Sequence, residues 1–253
     1  MVPILPVLVR SVVMQLAQVP DLDMFEHPRD WDALAKAHPR AAFDLLMVRI
    51  DRAASDHLHG GYLAVPLGIE GRVSLPDLTK EPDYPEICQR LWERALKSDD
   101  PQYPYWVRLF QGTVLENTSF WLERIQQEVE AALSKERLHT LTGLIQFEGS
   151  LIIFRFPDLT RTFLKNARRL GGQKLYEEMR LNLYSGCGPR VREFTNGVLD
   201  KHFDYVEAEA AKAAEAHAND EELGPFYRWI VEIEQKNRLM NKMRGETAMA
   251  TSN

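Results

Sequence analysis

Three groups of residues in this chain have types that could do chemistry, and their spacing decides whether they can. His57-Leu58-His59 places two imidazoles two residues apart, on one face if the backbone is extended, with Asp51 and Asp56 nearby. A metal site needs at least a third ligand at a recognised spacing, and none follows, so the reading is a polar turn ahead of "YLAVPL". Cys187 lies in "SGCGPR", where glycines and Arg190 would expose and activate a thiolate, but no histidine stands at a diagnostic offset. That segment reads as a helix-breaking loop. The glycines of "HGGY" and "LGGQK" lack the flanking residues of either phosphate-cradling fingerprint. No metal, no cofactor and no catalytic residue is expected.

The third group is electrostatic. The chain carries a net charge of −6, yet residues 155–192 hold nine basic and three acidic side chains between acidic flanks. Such an island steers an acidic partner towards one face, or else pairs with the acidic end of its own chain. Its centre is "LIIFRFPDLTRTFLKNARRLGG", residues 151–172, in which an apolar run ends in Arg-Phe-Pro-Asp and passes at once into a basic helix. The candidate partner-binding residues are Arg155, Asp158, Arg161, Lys165, Arg168 and Arg169. Asp158 stands where a helix N-cap belongs, and Phe163, Ala167 and Leu170 form the apolar stripe behind it. Arg155 lies between Phe154 and Phe156, so on a strand it points opposite to both rings and needs solvent or an acid such as Asp158.

The elements that would position these groups follow from periodicity and punctuation. "MVPILPVLVRSVVMQLAQVPDL" has the look of an export signal, but Pro3, Pro6 and Arg10 interrupt its apolar run and no positive region precedes it, so a packed first helix is expected over a cleaved peptide. His27-Pro28 and His38-Pro39 fence off a short helix around Trp31 to Ala37. "AFDLLMVRI" has strand length but fits a buried helix equally. "GYLAVPLG" predicts a strand, and residues 68–85, dense in Gly, Pro and Asp, a long surface loop. The alternation in "YPYWVRLFQGTVL" predicts a second strand. "ENTSFWLERIQQEVEAALSKE" predicts a helix with Leu122, Ile125, Val129 and Leu133 inward and Asn117, Thr118 and Ser119 as caps. "LTGLIQFEGSLIIFRFP" predicts an antiparallel hairpin turning at Glu148-Gly149-Ser150.

Gly171-Gly172 ends the basic helix, and the remainder is helical: "GQKLYEEMRLNLY", a longer helix from Pro189 with Phe194, Val198, Phe203 and Val206 inward, and a last helix with Phe226, Trp229, Ile230, Ile233 and Met240. "ANDEELG" breaks the last two. The expected fold is therefore α/β (α+β), a small mixed or antiparallel sheet with flanking helices in residues 1–172, followed by a helical C-terminal extension in 173–253. Two cysteines give no disulfide framework, so a reducing cytoplasm is expected. No stretch reaches the about 18 apolar residues a membrane span needs.

The order of elements from Tyr103 to the phrase Phe154-Arg155-Phe156-Pro157-Asp158 resembles the adaptor chaperones of type VI secretion, whose hallmark is a phrase like F-R-F-Y-D-P-R-V-L. Phe154, Arg155, Phe156 and Asp158 match that phrase, and Leu164 stands for its closing leucine. Pro157 takes the tyrosine's place, Leu159 replaces the proline, and the arginine comes one residue late at Arg161. "YLAVPL" is similar to the family's "YLVPL". The likeness covers about residues 61–172. It implies a non-catalytic protein that holds a secreted effector and helps mount it on the secretion spike. The lack of a span argues against a membrane partner, and the acidic balance of the chain argues against nucleic acid. The rival readings are a nucleic-acid-binding regulator from a mobile element and a small enzyme with an unrecognised site.

Overall fold

Proline and serine start most of the helices, and the described residues are helical nearly throughout. The structure is a computed structural model that describes residues 14–18, 28–55, 75–115, 120–146, 151–187 and 201–250, with 8, 11–12, 194–195 and 198–199. It divides into two compact units, Met1–Ser119 and Phe120–Asn253. That boundary differs from the expected one at residue 172, which lies inside a helix of the second unit. "GYLAVPLG" and the first part of the 68–85 loop lie outside the described residues, as does most of the N-terminal segment.

In the first unit, α1 (Pro28–Ala37) and α2 (Pro39–Ser55) are separated by His38 alone, as the two His-Pro pairs predict. "AFDLLMVRI" lies in α2 and buries Phe43, Leu45, Leu46 and Ile50. Next come α3 (Tyr84–Ala95) and α4 (Tyr103–Phe110), which runs into one π-helical turn, Gln111–Leu115. The expected strand at 103–114 is thus helical. Pro104 stands in the first turn of α4, where a missing N–H costs nothing. Trp106, Val107, Leu109 and Phe110 are buried, a three-to-four spacing that alternation obscured. The Asp100 carboxylate fixes this start, accepting from the Gln102 N–H at 2.8 Å and Trp106 Nε1 at 3.2 Å.

The second unit holds α5 (Phe120–Ala131), α6 (Lys135–Ile145), α7 (Ile152–Arg155), α8 (Pro157–Ser185), α9 (Lys201–Ala216) and α10 (Leu223–Ala250). The α/β expectation is corrected: among the described residues the only β structure is a two-residue antiparallel pairing of Phe194–Thr195 with Val198–Leu199, and no sheet flanked by helices is present. The expected hairpin is replaced by α6 and α7, with its turn, 148–150, outside the described residues. Leu138, Leu141, Leu144 and Ile145 make a helical stripe, so the apolar run that reads as a strand is the end of a buried helix face. The helix expected to run to Glu136 stops at Ala131, because the Ser134 Oγ accepts from the Arg137 N–H at 3.2 Å and caps α6. Leu133 is therefore not inward but 86% exposed. The caps proposed at 117–119 lie outside the described residues. The helix expected from Pro189 starts at Lys201 instead, and Phe194 and Val198 sit in the β pairing.

At residues 151–172 the backbone explains the passage from an apolar run into a basic helix. Leu151 adopts φ 49°, a left-handed turn that starts α7, and Phe156 is pushed to φ −128° and ψ 69° ahead of Pro157, which opens α8. Phe156, not Asp158, is the N-cap residue of α8. Gly171 (φ −148°, ψ 15°) and Gly172 (φ 62°, ψ −150°) break the helical geometry where the sequence predicts, although the chain resumes a helix at once. Only glycine holds the second of these conformations without strain.

Candidate interaction surface on helix α8

Residues Arg161, Lys165, Arg168 and Arg169 share one face of α8 through their three-to-four spacing, opposite the buried Leu159, Phe163, Leu164 and Ala167. The structure brings these predicted residues together, but it does not leave them all open. The Arg161 Nε donates to Asp220 Oδ2 at 2.7 Å, and its Nη1 donates to Asp158 Oδ1. Arg168 is bidentate on Glu222, Nε to Oε1 and Nη2 to Oε2, both at 3.1 Å, and its guanidinium lies 4.1 Å from the centre of the Tyr176 ring. The segment between α9 and α10, which the sequence marks only as a break, therefore supplies the acids. Asp220 also caps α10, its Oδ1 accepting from the N–H groups of Glu222 at 3.0 Å and Leu223 at 2.8 Å. Burial works to raise the Asp220 pKa, but the Leu223 N–H, Arg161 and the Glu222 N–H outweigh it and hold the carboxyl below its usual range.

Of the two readings of this charge, pairing with the acidic end of the chain describes Arg161 and Arg168. Arg161 and Arg168 clasp the hairpin of α9 and α10, and Asp158 belongs to the same clasp. Arg169 works differently: its Nε donates to Asn166 Oδ1 at 2.8 Å and its Nη2 to the Ala132 carbonyl at 2.6 Å, a cation at the C-terminal end of α5. Arg155 and Lys165 are exposed, with no polar partner among the described residues. Arg155 sits in the single turn of α7 rather than on a strand, and Asp158 pairs with Arg161 rather than with it.

The other chemical candidates lose their conditions. Cys187 is buried, and burial, helped by the nearby Glu234 charge, pushes its thiol up to about 12. No thiolate nucleophile forms there near neutral pH. Tyr184 Oη donates to the buried Glu234 carboxylate beside it. Asp51 pairs with Arg94 at 3.0 Å, while Asp56, His57 and His59 lie outside the described residues. Among the described residues no group of three or more His, Cys, Asp or Glu side chains is placed to hold a metal, and no helix is long and apolar enough to cross a membrane.

The Cys187 shift has a testable sign. A folded pKa of about 12 against 9.0 means that the fold favours the protonated thiol, so its contribution is complete below about 9 and is lost as the pH climbs towards 12. Tyr227, whose phenol burial also raises, acts in the same direction. The urea midpoint should fall between pH about 8 and about 10.5, and Cys187→Ala should flatten part of that fall. Equal slopes for the two proteins would show that the thiol is not shielded.

No protein-family model, no curated protein and no solved structure matches this chain.

Proposed function

We propose that this protein is a non-catalytic protein-binding adaptor that uses the part of the α8 face its own acids leave uncovered. The observation that carries this reading is the contrast along one face. On α8, Arg161 and Arg168 are occupied by Asp220 and Glu222, whereas Lys165 between them presents exposed charge without a partner among the described residues, as does Arg155 in the preceding turn, α7. Uncompensated cations on a helix that its neighbours hold rigid suit recognition of an acidic protein surface. The Phe154-Arg155-Phe156-Pro157-Asp158 phrase supports a finer version, in which the partner is a secreted effector to be placed on a type VI secretion spike. The flanking strands which that resemblance implies are helices here, so the finer version rests on the phrase alone. The nucleic-acid reading is weakened, since Arg161 and Arg168, which would meet phosphates, already hold carboxylates.

The test is affinity capture of the tagged full chain from its native host, beside the double variant Arg155→Glu/Lys165→Glu. The expected result is one or more proteins retained by the parent and depleted with the variant. If the parent retains nothing above a tag-only control, or if it shifts DNA in a salt-dependent manner, the adaptor reading fails.

A further inference from the structure

We propose that the open end of this face, formed by Lys165, Arg169 and Leu133, docks a short segment in which acidic residues are followed directly by an apolar one; this rests on the protein-binding reading above. The juxtaposition comes from one hydrogen bond. Arg169 Nη2 holds the carbonyl of Ala132, so its guanidinium lies beside the next residue, Leu133, and Lys165 stands one turn earlier on the same face of α8. Leu133 is the most exposed large apolar side chain among the described residues, at 86%. It occupies the three-residue link between α5 and α6 and packs on neither helix.

Arg169 is already fixed. With Nε on Asn166 Oδ1 and Nη2 on the Ala132 carbonyl, it presents Nη1 with no hydrogen bond among the described residues. Asn166 is itself buried and held, donating through Nδ2 to the Val129 carbonyl. A guanidinium immobilised in advance loses little rotamer freedom when a carboxylate arrives. Lys165 supplies a second cation without a partner, and Leu133 an apolar contact at their edge.

The chain shows what this face recognises. On its occupied side the residues received are Asp220 and Glu222, and the next residue, Leu223, is fully buried. Acid, acid and leucine in succession are thus read by Arg161, Arg168 and the core. Lys165, Arg169 and Leu133 offer the same ingredients, two cations and an apolar side chain, with no acidic segment of the described residues on them. A phosphate backbone matches this patch less well, because it offers nothing to the exposed Leu133.

The probe is a fluorescein-labelled peptide, GSDEELLG, with GSNQQLLG and GSDEESSG as counterparts lacking the charges or the leucines. Fluorescence anisotropy with the full chain should show GSDEELLG binding about tenfold or more tightly than either counterpart, the difference one charged or one buried apolar contact makes. Leu133→Ser and Lys165→Glu should each weaken it by about tenfold as well. Both positions are exposed, so the urea midpoint serves as the control that the fold is intact. Equal binding of the three peptides, absence of binding, or indifference to both substitutions overturns the proposal. So does a dimer in sedimentation equilibrium that Leu133→Ser dissociates, which would give the patch to a second copy. A partner captured from the host but unaffected by Leu133→Ser leaves the adaptor standing and removes this surface. Peptide binding without any captured partner does the reverse.

Discussion

Tyr227→Ala should destabilise the second unit by about 3–5 kcal/mol, the range for deleting a fully buried aromatic side chain. Tyr227 has no exposed surface, and its ring stacks on Phe154 at 5.7 Å and meets Phe226 at 5.4 Å. Its hydroxyl donates to the Ile153 carbonyl at 2.5 Å. One side chain of α10 thus holds the backbone and a ring of α7. The thermal midpoint should drop by on the order of 10 °C. Tyr227→Phe is the informative control. It keeps the stacking, and the Ile153 carbonyl still accepts from Thr160 Oγ1 at 3.2 Å, so the cost should be about 1 kcal/mol or less. A loss for Tyr227→Ala no larger than that for Tyr227→Phe would mean that the cavity closes or that α10 is not seated on α7.

Asp220→Ala should cost about 2 kcal/mol, because it removes a helix cap, worth about 0.5–2 kcal/mol, together with one arm of the Arg161 clasp. Asp220→Asn separates the two contributions, since the amide oxygen can still accept from the N–H groups of Glu222 and Leu223 while the charge is gone. The Asp220 carboxyl is held below its usual range in the folded protein. Its contribution is therefore full above the unfolded value of 3.8 and is lost as the pH falls through the lower folded value. The gap between parent and Asp220→Asn in urea denaturation should narrow as the solution is acidified in that range. Arg168 and Glu222 form a more exposed pair, so salt should weaken that arm more than the cap. A loss below about 0.5 kcal/mol for Asp220→Ala would show that neither the cap nor the clasp matters.

What the sequence made legible was its punctuation. His38-Pro39 separates α1 from α2, Gly171-Gly172 interrupts α8, and Gly186 follows its end, because proline and glycine restrict or free the backbone locally. The short apolar runs point to strands for a physical reason. Tyr103 to Leu115 and Leu151 to Phe156 are rich in aromatic and branched side chains that favour strands, yet no partner strand exists in the described residues, and packing imposes helix instead. The candidate face was half legible. The excess of positive charge is plain in composition, but the pairing of Arg161 with Asp220 spans 59 residues and of Arg168 with Glu222 spans 54, distances over which no local pattern operates. The spacing of Leu133 fits a helix stripe, and only the Ser134 cap one residue later gives it to the surface.

The glycine pair in α8 also bears on how this chain can change through descent. A methyl group added at Gly171 would lie 2.5 Å from the Leu175 Cβ, and Gly172 holds a backbone conformation closed to every other residue type. Surface arginines can drift to lysine or be lost with their acids, but these two positions have almost nowhere to go. In any lineage that keeps this bend, Gly171-Gly172 is the mark that divergence is least able to erase.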